Sequence, residues 1–182
     1  MRRRLTTILV LALGFLLVTA QASLAASPHF KKGGEPVCTI AELSAASKST
    51  TCSASLAGLG MGTLVINVTA SGFAVYQCSN GGGNTAPGQN KVLVGPVTAP
   101  TIIPADQIKN GNVSFTTDPA VLTAPETVSG AAAGCPNPNW TGVNPILTLT
   151  DLELTISQGG VLLFTCTRSD PNGLSGTVAL NC

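Results

Sequence analysis

Residues 63–78 decide the fold class, and they read Thr-Leu-Val-Ile-Asn-Val-Thr-Ala-Ser-Gly-Phe-Ala-Val-Tyr-Gln-Cys. In the first half, apolar residues alternate with others, so that Leu64, Ile66 and Val68 share one face. A period of two is the pattern of a β-strand with one buried side. In the second half, two alternating sets both contain apolar residues; we assign Phe73 to the core and leave Tyr76 open to either face.

The rest of the chain repeats this pattern in short pieces separated by turn residues. Gln158-Gly159-Gly160 joins two apolar runs and predicts a tight hairpin. A single helical turn would fit residues 40–46. The other β-rich runs are residues 91–97, 112–117, 161–167 and 176–180. Many short strands at this spacing predict an all-β fold, an immunoglobulin-like β-sandwich, with a barrel as the alternative.

A change of apolar phase occurs within residues 146–156, between Leu149 and Leu152. A bulge near Thr150-Asp151 would return both halves of this long run to one buried face. Asp151 and Glu153 would then share the solvent side of the strand, and a solvated strand face is the ordinary role of such a pair. A carboxylate pair is also the machinery of glycoside hydrolysis, so this pair is the basis of a hydrolase alternative.

Charge excludes one class of function. The 182 residues contain nine Lys and Arg and eight Asp and Glu, and three of the nine are Arg2, Arg3 and Arg4. Removing those three leaves six basic against eight acidic residues, a net charge of −2. Binding to nucleic acid requires a basic surface that neutralises phosphates. We therefore expect no nucleic-acid partner.

The first 25 residues have the pattern of a secretory signal peptide. A basic start is followed by an apolar run of about 15 residues and by small residues at Ala20-Gln21-Ala22 and Ser23-Leu24-Ala25. An uncleaved anchor is the alternative, but a membrane-spanning helix needs about 20 apolar residues. We expect residues 26–182 to form one secreted, extracellular domain with no membrane span after cleavage.

Six cysteines lie after the signal peptide, and an even number in an oxidising compartment predicts disulfides. Cys38 and Cys52 flank a short polar stretch. Cys166 and Cys182 flank the turn-rich residues 169–173, and a hairpin between the strand-like runs on either side would place these two cysteines opposite each other. Cys78 and Cys135 would then tie two long loops together. An alternative that crosses between sheets would join Cys52 to Cys166. The pairs that we favour are Cys38–Cys52, Cys78–Cys135 and Cys166–Cys182.

Two long loops, residues 80–90 and 118–145, are rich in Gly, Asn and Pro. The second carries the only tryptophan, Trp140. Trp140 would either be buried as a cap on the sandwich or be exposed to stack on a sugar ring, with neighbouring amides binding the hydroxyls. The candidate binding residues are Asn80, Asn84, Asn137, Asn139 and Trp140.

The sequence offers little for catalysis. His29 is the only histidine and precedes every predicted strand, so we expect it on a mobile, exposed arm rather than in a triad. Asp170-Pro171-Asn172-Gly173 has the composition of a turn and lacks the further acidic residues of a calcium loop. We therefore predict no catalytic residue, no metal ligand and no cofactor.

Several motifs resemble known proteins when they are taken in order. The motifs are Pro28-His29-Phe30, Gly58-Leu59-Gly60, Cys78-x-Asn80-Gly81-Gly82, Pro87, Asn90-Lys91 and Cys135-Pro136. With these motifs in this order, the chain resembles a group of small secreted actinobacterial β-sandwich proteins of uncharacterised function, over about residues 28–166. This resemblance implies a secreted β-sandwich and says nothing about catalysis.

A second resemblance is confined to residues 60–78, which end in Tyr76-Gln77-Cys78. This stretch is similar to the start of the neocarzinostatin-like apoproteins, which are secreted sandwiches that carry an apolar chromophore. The present chain is longer and has two more cysteines than those four-cysteine proteins. The resemblance implies a site for an apolar ligand.

Three functions follow from these observations. The first is a non-enzymatic secreted binding or structural module whose loops meet an extracellular partner, for example a cell surface or a polysaccharide. The second is a carrier of a small apolar ligand in a cleft between the sheets. The third is the carboxylate-dependent hydrolase.

Overall fold

The computed structural model describes residues 27–182, so the predicted signal peptide lies outside the described residues. Within them, no helix is both long and apolar enough to cross a membrane. A 3-10 helix spans Ala105–Gln107, and a short helix, α1, spans Gly130–Ala133. The strands are β1 (His29–Phe30), β2 (Val37–Ser44), β3 (Ser47–Ala57), β4 (Leu64–Ser79), β5 (Thr85–Pro87), β6 (Val92–Ile103), β7 (Val113–Thr116), β8 (Ala120–Thr123), β9 (Val128–Ser129), β10 (Thr141–Gln158), β11 (Val161–Ser169) and β12 (Gly176–Ala179).

These strands form two sheets, which confirms the all-β prediction. In sheet A, β3 pairs with β2 and β1 and also with β7 and β8, and β12 extends the sheet beyond β2. In sheet B, the two longest strands, β4 and β10, lie side by side. Along its other edge β4 pairs with β6 and then β5, and along its other edge β10 pairs with β11 and β9. The pairings are antiparallel, and the buried residues of both sheets form one hydrophobic cluster.

β4 alternates without interruption over its whole length. Its even-numbered residues, from Leu64 to Cys78, are buried, and its odd-numbered residues are half-buried or exposed. The assignment of Phe73 to the core is therefore wrong: Phe73 is odd-numbered and half-buried on the outer face, and Tyr76, at 3% exposure, takes the core position. A strand that stays in phase over 16 residues leaves room for one buried set only.

The predicted bulge and the predicted hairpin are both confirmed. The register of β10 against β4 shifts between Leu149 and Asp151, and buried residues resume at Leu152. β10 and β11 join through Gly159 and Gly160, which both have positive φ. This conformation favours glycine and matches the twist of a two-residue hairpin.

Gly72 on β4 permits the close approach of β10 beside this bulge. A Cβ atom at Gly72 would collide with the carbonyl oxygen of Thr148 and crowd the Cα atom of Leu149. The two strands can lie this close only because residue 72 has no side chain.

The three favoured disulfides are present in the structure. Cys38 faces Cys52 directly in the β2–β3 pair, as the polar stretch between them predicted. Cys78, near the end of β4, is bonded to Cys135, just after α1. Cys166–Cys182 fastens the segment after β12 to β11.

The hairpin expected between Cys166 and Cys182 is not present. Residues 161–167 and 176–180 do not form a hairpin with each other, because β12 pairs with β2 in sheet A. After β12 the chain crosses to sheet B, where Asn181 forms a bridge with Thr167 next to the disulfide. The disulfide therefore holds residues 181 and 182 against sheet B, directly after β12 has paired in sheet A.

Three local expectations are also wrong. Residues 40–46 form no helical turn, because most of them belong to β2, where Ile40 faces the core. His29 is exposed, but it lies in β1, paired with Ala57, and not on an arm before the first strand. The long loops contain ordered elements: β5 lies in the first, and β8, β9 and α1 lie in the second.

Candidate functional site

The outer face of sheet B carries the side chains that point away from the core, namely the odd-numbered residues of β4 and those opposite them on β5, β6 and β10. Its two parts differ in chemistry. The central part is rich in hydroxyl and amide groups. There, the hydroxyl oxygens of Thr69 and Thr98 are hydrogen-bonded at 2.9 Å. The part near the disulfide Cys78–Cys135 is apolar and carries Leu93, Phe73, Val75, Ile146 and Pro87.

A groove of about 570 Å³ lies in the apolar part, between β5 and β10. Its floor is the register pair Val75–Ile146, and Ile146 is 59% exposed. Ala86 and Pro87 of β5 form one wall. Gln77 and Asn144 also line it, and we call it the amide groove after their side chains. The other polar residues of the lining are Thr85 and Tyr76.

The local sequence explains why β10 opens here. The register against β4 shifts between Val143 and Ile146, and Asn144 has a positive φ of 52°. Asparagine is among the residues that tolerate this conformation. The Asn144 side-chain amide then donates to the Gln77 amide oxygen at 2.9 Å, which fixes both groups at the groove.

The β5 wall, across the groove from β10, is held in place by Gly88 and by the disulfide Cys78–Cys135. The amide of Gly88 donates to the carbonyl of Tyr76, and a Cβ at Gly88 would collide with that carbonyl and with the carbonyl of Ala133. Gln89 and Asn90 donate their backbone amides to Ala133 at 3.0 and 3.1 Å. The first loop is therefore fastened to α1, beside Cys78–Cys135.

Tyr76 contributes to the groove from below and keeps its hydroxyl inside the protein. The hydroxyl donates to the carbonyl of Pro125 at 2.9 Å. Burial raises the pKa of the Tyr76 phenol above its ordinary value of 10.0, because a buried phenolate loses its hydration. The groove is thus uncharged at neutral pH: none of its other lining residues is ionisable.

A second groove of about 330 Å³ lies farther along the same face. Phe73 forms its apolar side, and Lys91 places its ammonium 4.0 Å from the centroid of the Phe73 ring. Asp151 lines the same groove and accepts a hydrogen bond from Thr150 at 2.6 Å. We call it the charged groove.

The two carboxylates of the hydrolase alternative do not both line the charged groove. Asp151 and Glu153 are both exposed on the outer face, as predicted, but Asp151 lies opposite Ser71 and Glu153 lies opposite Thr69, two residues away along β4. Asp151 lines the charged groove, whereas Glu153 does not. Within residues 27–182, no group of three or more potential metal-binding side chains is clustered.

The candidate binding residues of the loops lie at one end of sheet B. Ser79 pairs with Thr141, which brings the start of the Asn80 loop next to Trp140. The Asn80 side-chain oxygen accepts from the amides of Gly82 and Asn84, at 3.0 and 2.9 Å.

The second loop follows the same pattern. The Asn137 side-chain oxygen accepts from the amide of Asn139 at 2.9 Å, so that it too shapes its own loop. Trp140 is half-buried against the core. This exposure is intermediate between the buried cap and the exposed stacking residue that were predicted.

Apart from Asp151, which belongs to the hydrolase alternative, the residues of the two grooves were not among the sequence-predicted site residues. Ile146 carried one detectable signal, since it has the parity opposite to the buried Leu147 and Leu149. The amide pair Gln77–Asn144 carried none, because it depends on the backbone of a bulge. No protein-family model matches the chain, and no curated protein matches its sequence.

Proposed function

We propose that this chain is a binding module and that it takes a small, largely apolar ligand in the amide groove. The observation that carries the proposal is the groove itself, whose 570 Å³ falls within the roughly 300–1,000 Å³ of small-molecule sites. Apolar walls with a few fixed polar groups are the usual composition of such sites. The proposal moves the carrier hypothesis from a cleft between the sheets to the outer face of sheet B.

Two features support a site rather than an incidental depression. The floor is built on β4 and β10, the longest strands, and sites on strands are held more firmly than sites on loops. The β5 wall is fastened beside a disulfide. An exposed isoleucine alone would need no explanation, but here Ile146 lies beside Val75 and Pro87 on one surface.

The test is a titration with N-phenyl-1-naphthylamine, an uncharged probe whose fluorescence rises in apolar surroundings. Ile146→Asn should weaken its binding about fivefold or more, because the loss of one apolar contact costs about 1–3 kcal/mol. Ile102→Asn is the matched control, since Ile102 is 63% exposed on the same outer face but lies outside both grooves. Equal affinities for the two variants would contradict the proposal.

A second candidate function is contact with a polysaccharide at the loop end. Trp140 is half-buried beside the exposed Asn137 and Asn139, which supports a stacking platform with adjacent amides. Because Trp140 is the only tryptophan, its emission reports on this site alone. A shift on addition of cell-wall polysaccharide, lost in Asn139→Ala, would support this candidate; an unchanged spectrum would oppose it.

A further inference from the structure

We propose that the charged groove is a head-group subsite, and that the ligand is an amphiphile whose head carries both a positive and a negative charge. This inference rests on the proposed function, because the amide groove would hold the apolar body of the same molecule. It concerns the residues Phe73, Lys91 and Asp151, which the amide groove does not include.

The two grooves lie close together along β4. Val75 of the amide groove and Phe73 of the charged groove are two residues apart on β4, which is about 7 Å along a strand. Asp151 pairs with Ser71, two residues farther on. The span from Val75 to the Asp151 row is therefore about 13 Å, and an elongated ligand could touch both grooves without a turn.

The two charges of the groove form no ion pair with each other. In the described part of the chain, the ion pair formed is Lys48–Glu42, although Lys91 and Asp151 both line one groove. A head of a single charge would gain from one residue and be repelled by the other, whereas a dipolar head gains from both.

The Phe73 ring supplies a face that binds a cation. The Lys91 ammonium occupies this face, 4.0 Å from the ring centroid. An aromatic face beside a carboxylate is a favourable site for a quaternary ammonium group. Such a group could replace the ammonium of Lys91 over Phe73, next to Asp151, and leave Lys91 to bind the negative part of the head.

The experiment compares four amphiphiles with the same decyl chain, each below its critical micelle concentration. Their heads are maltoside (uncharged), trimethylammonium (positive), carboxylate (negative) and N,N-dimethylglycine (both charges). Calorimetric titration at neutral pH should give the tightest binding for the dimethylglycine head, about five- to tenfold over maltoside. Exposed charge and cation–π contacts of this kind each give up to about fivefold.

Variants assign the effect to the groove. Asp151→Asn should weaken the dimethylglycine and trimethylammonium compounds about threefold and improve the carboxylate, while Lys91→Gln should weaken the carboxylate and improve trimethylammonium. Glu153→Gln is the matched control, since Glu153 is exposed on the same face but does not line the groove, and it should leave the order unchanged.

The two proposals fail in different ways. If the four heads bind alike, or if Glu153→Gln changes the order as much as Asp151→Asn does, the head-group subsite is wrong and the apolar site stands. If Ile146→Asn does not weaken the four compounds together, the proposed function is wrong. A concentration-dependent dimer that Ile146→Asn dissociates would show that a second copy covers this face, and it would overturn both.

Discussion

The two faces of β4 contain similar residues, but one face is buried in the core and the other lines the grooves. On the even face, Leu64, Ile66 and Val68 are fully buried in the single core. On the odd face, Phe73 and Val75 line two grooves that open to solvent. Val68 and Val75 have the same side chain, so the difference lies in the parity of the position and not in the residue type. Changes on the even face should therefore affect stability, and changes on the odd face should affect binding.

The largest effect should come from reduction of the disulfides, whose half-cystines Cys38, Cys52, Cys78 and Cys166 are buried among the core residues. The bonds close loops with separations of 14, 57 and 16 residues, and each should contribute about 3–4 kcal/mol. Their sum is comparable to the whole stability of a typical domain. Thermal melts with and without reductant should show a large fall in the midpoint.

Variation of pH supplies the control for that experiment. With one histidine, which is exposed, and one ion pair among the described residues, a change from pH 5 to pH 8 should move the midpoint little. A reduced protein that melts within a few degrees of the oxidised one would show that the hydrophobic core alone suffices.

The next effect separates the two faces of β10. Leu154 is fully buried, and Leu154→Ala should lower the free energy of unfolding by about 2–5 kcal/mol, because it leaves a cavity in the core. Glu153→Ala, one residue away on the exposed face, should change it by about 0.5 kcal/mol or less. Urea denaturation measures both. Similar losses in the two variants would contradict the assignment of the faces.

A smaller effect should come from the contact between β4 and the β10 bulge. Gly72→Ala should destabilise the protein by about 1–3 kcal/mol, because the new methyl group meets backbone atoms of Thr148 and Leu149. Gly81→Ala is the matched control, since a Cβ there meets nothing within 4 Å. Equal denaturation midpoints for the two variants would show that β10 can move away from β4 at little cost.

The sequence was sufficient for the features that depend on local patterns. The alternation in residues 63–69 predicted β4, and the phase change after Leu149 predicted the bulge. Phe73 was misassigned because the pattern at residues 73–78 has apolar residues in both phases. Extending the even parity of Leu64, without a break at Gly72, would have placed Tyr76 in the core.

The grooves and the pairing of β12 depend on long-range geometry and could not be predicted in this way. The amide groove requires the backbone of Asn144 and the fastening of β5 beside Cys78–Cys135. β12 pairs with β2, which lies far away in sequence, although the turn at Asp170 would equally suit a local hairpin. Local composition does not distinguish between these two partners.

The smallest effect concerns Tyr76, which belongs to the even face and underlies the amide groove. Tyr76→Phe should lower the free energy of unfolding by about 1 kcal/mol near neutral pH, because it removes the hydrogen bond to the carbonyl of Pro125. Leu93→Ala is the control, since Leu93 lies on the outer face at 86% exposure and should change stability much less.

The pH dependence of that difference is the sharper test. Because burial raises the Tyr76 pKa, the folded protein keeps the phenolic proton to a higher pH than the unfolded chain does. The contribution of Tyr76 to stability should therefore be complete below about pH 10 and decline as the pH rises above it. Tyr76 is the only tyrosine, so tyrosinate absorbance follows this one group. If native protein titrates at the same pH as urea-unfolded protein, or if the difference in stability between wild type and Tyr76→Phe stays constant through the alkaline range, Tyr76 is not held in the core.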